Sequence, residues 1–592
     1  MSQHWIKANA MSQSPNRMIY LQVMSKPGRI VDSKSWLCAS TRTTRRFEES
    51  KRPAPPVVDS HLDRVLLWQY VSNFTRKRER TILVAYNLAE QIRLGQVLEI
   101  MPELGWQLRR FSLREDVSMV SWERDKAALI MIDAKSWLPQ SLHEIARLSA
   151  TLLDARPDQS DAVADQLAWA EQACLVLDRS IGALRDWIKE NEMGNWRPTG
   201  AGMAWANWRH SHYTHKVLAG SDDERLAIEA ASVGAGRAEA WRYGLQEDPP
   251  YFEWDLPLAY PRAALDAALP VSYFAESSSH KPDRHLIHSP DRRTLIEATV
   301  HQDVSILGVK HEGRWVWPTG TIHGWWWDDE LATARNYGAD IKIDHAYTYR
   351  AKPVLAAWAG WIIPFIEAPD SPATPIQRAA VKHWSRSLIG RFGLRYDDWQ
   401  PVDVPVDPGI YSTYLVDDIE GITSRLMVVG KQTWRTTERR YGSDSVPSIM
   451  ACIMSECRSR LWHLMNIAGT DHVIYVDTDS LICDQIGSDR LAAYVATGEG
   501  WGLRKKHTHS SLEILGVRQL ITQDSRKIAG VPQSSLRTGQ RQFVGNVTEG
   551  ISKALLLNRS DVVHAPSRQF DLVDKDYRRK HLPGGYTAPY EL

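Results

Sequence analysis

Short runs of hydrophobic residues, separated by polar segments, recur along most of the chain. Residues 81–85 and 127–132 form apolar runs with the length of buried strands. Residues 140–155 and 160–190 carry the three- and four-residue spacing of amphipathic helices. From residue 251 to about residue 500, short strand patterns and helix patterns alternate. The pattern predicts a protein of mixed α and β structure built from several units.

Polar segments indicate where these units are joined. Residues 1–17 are polar, and residues 38–60 are charged and rich in proline, which predicts an exposed loop. Residues 195–244 are rich in tryptophan and glycine, and we expect a boundary between units there.

The composition is that of a soluble globular protein. The 592 residues are 43% hydrophobic and 24% charged, which excludes wholesale disorder, collagen and a coiled coil. This length predicts about three to five domains. The net charge of +1 excludes a uniformly basic nucleic-acid coat protein but allows a local basic groove. We expect most of the 25 tryptophans to fill the core.

Cysteine usage and hydropathy indicate a reducing, non-membrane location. The five cysteines are few, odd in number and without a CxxC pair, which argues against a disulfide framework and a zinc knuckle. The longest apolar run, residues 354–366, has 13 residues and contains a proline, too short to span a bilayer. No segment like a secretion signal opens the chain. We therefore expect a cytoplasmic protein, in a bacterium or a virus-infected cell, with no membrane partner.

The strongest chemical signal is the segment HVIYVDTDSLICD, residues 472–484. Two β-prone runs flank Asp477 and Asp479, which predicts a hairpin with acids at its tip. Residues two apart on extended backbone project to the same side. Adjacent carboxylates repel each other unless a cation joins them, and hard oxygen ligands suit Mg²⁺. A solvated acidic turn would explain the two aspartates alone equally well.

The longer string YVDTDS, residues 475–480, resembles motif C of the family B DNA polymerases. The segment FEWDLPLAYP, residues 252–261, is similar to motif A of that family. Asp255, Tyr260 and Pro261 match the motif, whereas the usual Ser-Leu pair is replaced.

The segment KHWSRSLIGRFG, residues 382–393, resembles motif B. Lys382, Ser387 and Gly390 match, but Arg386 stands where Asn is expected and Ile389 where Tyr is expected.

The residues around motif B also predict a helix without any resemblance. Thr374 and Pro375 suit the start of a helix and Gly390 its end, so we expect a helix over 375–389. Arg378, Lys382 and Arg386 would share one face, where like charges repel unless an anion lies opposite. A solvated basic face is the alternative explanation.

Two weaker similarities concern DNA. Gly234, Gly236 and Arg237 resemble the glycine loop that touches the template strand in this family. Residues 515–532 resemble the Lys-x-Tyr segment near the thumb, where Arg518 keeps the charge and Lys527 follows. The resemblance implies that these five residues bind DNA.

The resemblance, to the compact viral and protein-primed branch, implies an α+β right-hand polymerase fold. It predicts an exonuclease-like, RNase H-like domain over 1–190, the N-terminal palm over 191–340 and the fingers over 341–395. The C-terminal palm would follow over 396–505, and the thumb and tail over 506–592.

The implied activity is template-directed DNA synthesis from dNTPs. Asp255, Asp477 and Asp479 would be the catalytic metal ligands for two Mg²⁺ ions, with Mn²⁺ as a substitute. The expected partners are template and primer DNA, dNTPs and, if synthesis is protein-primed, a terminal protein.

The resemblance also assigns nucleotide contacts. Lys382, helped by Arg378, would grip the β- and γ-phosphates. Tyr260 would exclude ribonucleotides, and backbone amides from Leu256 to Ala259 would meet the phosphates.

The exonuclease motifs are degenerate. The segment 17–24, where the first motif belongs, has no acid. In the second motif, Asn87 matches, but Gln91 stands where Asp is expected and Glu90 where Phe is expected. Of the third motif, only the aspartate remains, as Asp178. Since two metals need several carboxylates, we expect a folded but inactive exonuclease domain.

Two other function classes stay open. The first is a catalytically inactive polymerase-like protein that binds nucleic acid or organises a replisome, which the altered motif B favours. The second is an unrelated metal-dependent hydrolase, which the ordered series of three motifs disfavours.

Overall fold

The fold is taken from a computed structural model. The structure describes residues 17–23, 39–44, 57–61, 64–113, 118–157, 162–220, 222–277, 289–404, 409–417, 422–430, 432–436, 439–546, 567–572 and 578–592.

The helices are distributed along the whole described sequence, between strands. They are Arg64–Phe74, Leu88–Leu94, Val97–Glu103, Leu142–Leu148, Val163–Leu177, Ala183–Glu190, Gly200–Ser211, Asp223–Ser232, Ala259–Asp266, Asp328–Asn336, Ala356–Glu367, Pro375–Phe392, Pro447–Ala468 and Gln485–Ala496. The helical pattern at 140–155 yields only Leu142–Leu148, which Ser141 caps by accepting the Glu144 N–H. The pattern at 160–190 yields two helices joined by a π-helical turn, Asp178–Gly182.

A seven-stranded sheet, here the N-terminal sheet, is built from the first part of the chain. Its order is Val57–His61, Ala39–Thr44, Arg17–Val23, Arg80–Ala85, Ala127–Asp133, Ser118–Arg124 and Gln107–Leu113. The three central strands run parallel and the outer pairs antiparallel. Alternate residues of the strand Arg80–Ala85 face two different cores. Ile82 and Val84 belong to one core, and Leu83 and Ala85 belong to the other. The predicted strands at 81–85 and 127–132 are confirmed.

A five-stranded antiparallel sheet, here the aspartate sheet, carries the three candidate metal ligands. Its order is Arg504–His509, Tyr251–Asp255, Ser480–Cys483, Val473–Asp477 and Ala238–Ala240. Helices Pro447–Ala468 and Gln485–Ala496 contact this sheet, and helix Ala259–Asp266 contacts Pro447–Ala468.

A four-stranded antiparallel sheet lies between the motif A and motif B segments in sequence. Its order is Leu269–Ser277, Asp340–Lys352, Arg292–Gln302 and Gly320–Trp327. A short hairpin, Val309–His311 with Arg314–Val316, lies in sequence between Arg292–Gln302 and Gly320–Trp327.

Smaller sheets complete the chain. Strands Gln400–Pro401, Gln432–Thr436, Ile422–Gly430 and Gly409–Asp417 form one sheet, whose Met427 and Trp434 join a core of the N-terminal sheet. The remaining pairings are Arg395–Asp397 with Arg439–Tyr441; Arg526–Ile528, Gln519–Thr522, Leu512–Gly516 and Gly244–Leu245; Leu536–Arg537, Gln542–Asn546 and Ser567–Asp571; and Lys580–His581 with Thr587–Ala588.

The helix predicted over 375–389 is present and extends to Phe392. Thr374 and Gln377 form a reciprocal capping box at its start. Gly390 does not end the helix, because the buried Phe392 packs edge-on against Trp205 and holds one further turn. Residues at four-residue spacing form an apolar stripe that is buried: Ile376, Ala380, Trp384 and Leu388.

The tryptophan-rich segment from residue 195 does not form an exposed linker. Trp196 stacks on Trp137, and Trp137 meets Trp384 edge-on, so these side chains share one continuous core. Helix Gly200–Ser211 also lies along Pro375–Phe392. Core filling, the expected use of tryptophan, is confirmed for these buried residues.

No described helix combines the length and the apolar character needed to cross a bilayer.

Candidate active site

The sequence around Asp477 and Asp479 forms the predicted hairpin. Strands Val473–Asp477 and Ser480–Cys483 pair directly, with Asp477 opposite Ser480 and only two residues in the turn. Thr478 adopts a left-handed conformation, with φ 62°. The Asp479 N–H donates to the Asp477 carbonyl at 2.7 Å, which fixes the spacing of the two aspartates.

Asp255 reaches the same place from the neighbouring strand. Tyr251–Asp255 pairs with Ser480–Cys483 so that Asp255 lies opposite Ser480. Two aspartates, 224 residues apart in sequence (479 − 255), are therefore brought to the same end of the aspartate sheet. The sequence motifs predicted this meeting.

The electrostatics show that Asp479 and Asp255 influence each other. Burial raises the pKa of Asp479 to about 6, and the negative charge of Asp255 adds to the increase. Arg386 and Lys506 act in the opposite direction on the same pKa. The site thus combines like charges, partial burial and flanking cations.

Cations also contact the other two aspartates. Arg518 Nη2 lies 3.3 Å from Asp477 Oδ1, and Lys506 Nζ lies 3.2 Å from Asp255 Oδ1. Within the part of the chain that the structure describes, no three His, Cys, Asp or Glu side chains are grouped as a ready-made metal site. Asp477 and Asp255 are instead each paired with a cation.

The donor chemistry of Asp255 and Asp479 nevertheless fits Mg²⁺. Both offer carboxylate oxygens, and their mutual repulsion is the condition that a bound cation relieves.

Tyr260 stands at the edge of this cluster. Leu258, with φ 55°, turns the chain sharply after Asp255 and begins helix Ala259–Asp266. Burial raises the pKa of Tyr260 to about 12, and Cys457 and Asp479 add to the increase. The phenol is therefore neutral at physiological pH.

The backbone after Asp255 is only partly available to a ligand. The Leu256 N–H already donates to the Asp479 carbonyl, so the expected phosphate contact from Leu256 is not available. Ala259 is the first residue of its helix, where N–H groups lack partners inside the helix. That position remains compatible with an anion.

Helix Pro375–Phe392 presents its basic side chains unequally. Lys382 and Arg386 are exposed, one turn apart on the same face, and Arg386 acts on the pKa of Asp479. Arg378 differs from the expectation: its guanidinium donates to the carbonyls of Ser371 and Ala373. It stabilises the loop before the helix, because that loop offers carbonyls within reach.

The glycine loop lies against the aspartate hairpin. A Cβ on Gly236 would stand 2.6 Å from Thr478 Oγ1, so this close approach requires glycine. Gly234 has a φ of 63°, the left-handed region that glycine adopts freely. The loop therefore supports the turn between the aspartates.

Arg237 does not lie on a DNA-binding surface, contrary to the sequence expectation. Its side chain is 1% exposed and pairs with Glu239 at 2.6 Å. Arg579 contacts the other oxygen of Glu239 at 2.8 Å. A buried arginine with a buried carboxylate partner cannot reach a backbone phosphate in this conformation.

The other two predicted DNA-binding residues are accessible. Arg518 is half-exposed, and its backbone N–H donates to the Tyr475 hydroxyl at 2.8 Å. Lys527 is exposed, and its charge contributes to lowering the pKa of Glu253. Both therefore lie near the aspartate sheet.

The residues expected to replace an exonuclease site make local contacts instead. Asn87 donates to Glu90, and Glu90 pairs with Arg156. The buried Gln91 accepts the N–H of Val23. Asp178 accepts a hydrogen bond from Tyr20 and thereby raises the pKa of that phenol, after the larger effect of burial.

Sequence reasoning missed Lys506 and its neighbour Glu253. Lys506 lies 3.2 Å from Glu253 Oε1 as well as from Asp255. The run Arg504-Lys505-Lys506 was visible in the sequence, but nothing in it showed which of the two lysines would face the aspartates.

Neither a protein-family model nor a curated protein matches the sequence. Solved structures share the fold. Phi29 DNA polymerase complexed with primer-template DNA aligns with a TM-score of 0.65 at 11% identity, over 94% of this chain and 100% of that chain. The same polymerase complexed with primer-template DNA and incoming nucleotide substrates aligns with a TM-score of 0.63 at 12% identity, over 94% of this chain and 100% of that chain. Its complex with single-stranded DNA aligns with a TM-score of 0.61 at 12% identity, with the same coverage of 94% of this chain and 100% of that chain. The chain has a fold similar to that of phi29 DNA polymerase.

Proposed function

We propose that this protein is a DNA polymerase that adds dNTPs to a 3′-hydroxyl as directed by a template. The observation that carries the proposal is the meeting of Asp255 and Asp479 on adjacent strands, beside the cationic face of Lys382 and Arg386. The fold similarity supports it, because the neighbouring structures contain primer-template DNA and nucleotides.

Asp255 and Asp479 would hold two Mg²⁺ ions, or Mn²⁺, and Asp477 would support the pair from the hairpin. When bound, these ions would lower the pKa of the attacking hydroxyl and neutralise the departing pyrophosphate. The carboxylates keep the reacting groups aligned because their backbones are fixed by adjacent strand pairing.

Lys382 and Arg386 would bind the β- and γ-phosphates of the incoming nucleotide. The first turn of helix Ala259–Asp266 would add backbone N–H donors. The Tyr260 ring would lie under the sugar and exclude a 2′-hydroxyl by contact. This proposal replaces Arg378 with Arg386 as the partner of Lys382.

Template and primer DNA would be bound near the same sheet. Arg518 and Lys527 supply exposed positive charge. Gly234 and Gly236 would contribute through the loop that they form beside the aspartate hairpin, where Gly236 packs against Thr478. The first 3′-hydroxyl would come from an annealed strand or, as in the protein-primed branch, from a terminal protein. Comparing synthesis on templates with and without an annealed primer distinguishes the two sources.

We further propose a right-hand arrangement with palm, fingers and thumb, working in the cytoplasm, and an N-terminal exonuclease-like domain without proofreading activity. The local partners of Glu90, Gln91 and Asp178 support the lack of proofreading, because each polar group is already used within the fold.

A catalytically inactive polymerase-like protein is the second candidate. The observation that favours it is the pairing of Asp477 with Arg518 and of Asp255 with Lys506, since both cations occupy carboxylate oxygens. Such a protein would bind DNA without extending it.

Primer extension separates these functions. The full chain is incubated with primer-template DNA, dNTPs and Mg²⁺, beside Asp479→Asn and the exposed control Asp489→Asn. We expect extension by the unchanged protein and by Asp489→Asn, and a loss of at least about 1,000-fold in Asp479→Asn. DNA binding without extension by the unchanged protein would establish the inactive alternative.

A further inference from the structure

The edge strand of the aspartate sheet contains an irregularity beside Asp255. In the pairing of Tyr251–Asp255 with Arg504–His509, Glu253 lies opposite His507 and Trp254 opposite Lys505. Lys506 is therefore the extra residue of a β-bulge. Bulges change the direction in which a side chain points, and they are common next to active sites.

The bulge aims Lys506 at the acidic face of the sheet. Because side chains alternate along a strand, Glu253 and Asp255 share one face, while Phe252 and Trp254 share the other. Lys506 Nζ lies 3.2 Å from both Glu253 Oε1 and Asp255 Oδ1. Lys505 lies over the Phe252 ring, at 4.9 Å from its centre, and so belongs to the opposite face.

The surroundings of Lys506 hold its charge in place. Burial alone would lower the pKa of Lys506, but Asp255 and Glu253 raise it. Glu253 is itself fixed, since His509 Nε2 lies 3.2 Å from its second oxygen. The ammonium group is therefore held against Asp255, which lies opposite Ser480, the residue after Asp479.

We propose that Lys506 is a positioning residue that sets the divalent-cation affinity of the Asp255–Asp479 pair. Its ammonium orients the Asp255 carboxylate and weakens cation binding, because a divalent ion on the same carboxylate would experience its repulsion. This inference rests on the proposed metal site.

The size of the effect follows from Coulomb's law. A divalent ion roughly 6 Å from an ammonium group is repelled enough, in a water-like dielectric, to weaken binding about tenfold. The side chain is 37% exposed and can turn partly away, which reduces the expected effect to about fivefold.

The test measures Mn²⁺ binding to the full chain without DNA or nucleotide, by electron paramagnetic resonance of the free ion. Lys506→Met removes the charge at nearly constant length, Lys506→Arg keeps it, and Lys505→Met is the matched control on the other face. We expect Lys506→Met to bind Mn²⁺ about fivefold more tightly than the unchanged protein. Lys505→Met and Lys506→Arg should bind within about twofold of it.

If the native sequence binds Mn²⁺ and Lys506→Met binds it equally or more weakly, the role of Lys506 is overturned and the metal site is retained. No measurable Mn²⁺ binding by the native sequence, or binding unaffected by Asp479→Asn, would overturn the metal site itself. A circular dichroism spectrum and a thermal midpoint equal to those of the native sequence confirm that each variant is folded.

Discussion

The backbone N–H of Leu256 donates a hydrogen bond of 2.8 Å to the backbone carbonyl of Asp479. This bond joins the residue after Asp255 to the second aspartate of the hairpin. The two carboxylates are therefore held close together by backbone pairing, whether or not a cation is present. Their repulsion destabilises the fold when no cation is bound. This cost is expected of two carboxylates that bind a metal together, but not of two that have only a structural role.

That cost predicts a pH dependence of stability in metal-free buffer. Burial and the charge of Asp255 raise the pKa of Asp479 from 3.8 to about 6 in the folded protein. The folded state therefore binds this proton more tightly than the unfolded state. The stabilisation that proton binding gives to the folded state is lost as the pH rises from about 4 to about 6. Since one pKa unit corresponds to about 1.4 kcal/mol, the cost at pH 7 is about 3 kcal/mol.

Asp479→Asn should remove this cost. In EDTA at pH 7.5, we expect its thermal midpoint to exceed that of the native sequence, with the difference vanishing near pH 4. Asp489→Asn, on the surface of the next helix, should show no such pH-dependent gain. Adding Mg²⁺ should stabilise the native sequence but not Asp479→Asn. A lower midpoint for Asp479→Asn at pH 7.5 would show that the buried, charged Asp479 does not destabilise the fold.

Local sequence signals predicted the parts of the site that local structure determines. The hairpin around Asp477 follows from two β-prone runs and a short polar turn. The helix from Pro375 follows from its cap and its apolar stripe. Asp255 was placed by its motif, and the strand pairing with Ser480 brings it to the expected position.

The roles of isolated charged residues could not be predicted in the same way. Arg237 is buried because its guanidinium pairs with Glu239 and lies against Trp317 and Trp462, which are distant in sequence. Arg378 is used by the carbonyl groups of its own loop. Lys506 faces the aspartates only because a bulge displaces it by one position. Each outcome depends on tertiary contacts or on register, which composition and periodicity do not contain.

Lys382→Ala should weaken nucleotide use more than DNA binding. The exposed ammonium lies one turn from Arg386 on the face that points toward Asp479, so its loss removes a charge-assisted phosphate contact. We expect a higher KM for dNTP and slower incorporation, with a combined cost of about 2–4 kcal/mol in kcat/KM. Lys126→Ala, an exposed lysine in a turn of the N-terminal sheet, is the matched control. Unchanged single-nucleotide kinetics in Lys382→Ala would show that motif B is misassigned.

Tyr260→Ala should admit ribonucleotides. The proposed filter is the bulk of the ring, since the phenol stays neutral and its hydroxyl is not needed for contact with C2′. Tyr260→Phe should therefore retain selectivity, whereas Tyr260→Ala should lose it by at least about tenfold. The measurement is the ratio of kcat/KM for dNTP and rNTP on one template. If all three proteins show the same ratio, Tyr260 does not lie under the sugar.

Glu239→Gln should destabilise the aspartate sheet. Glu239 is fully buried and neutralises both Arg237 and Arg579, so its loss leaves two buried arginines without a carboxylate. The expected cost is about 3–5 kcal/mol, in the stability of the region that contains this group. Hydrogen exchange should increase first in Ala238–Ala240 and in its partner strand Val473–Asp477. The double variant Glu239→Gln/Arg579→Met should recover part of the loss; if it is less stable than the single variant, the pairing with Arg579 does not stabilise the sheet.

The protein should show no 3′→5′ exonuclease activity. Hydrolysis by two metals needs several carboxylates on one surface, but Gln91 stands where the motif resemblance expects an acid, and it accepts the N–H of Val23. Glu90 is paired with Arg156, and Asp178 is held by Tyr20. Labelled single-stranded DNA, incubated with Mg²⁺ or Mn²⁺ and without dNTP, should keep its length while the same preparation extends a primer. Shortening that persists in Asp178→Ala would come from a contaminating nuclease. Shortening that this substitution abolishes would mean that Asp178 leaves Tyr20 to bind a metal, and that the domain is an active exonuclease with fewer acids than the motif resemblance requires.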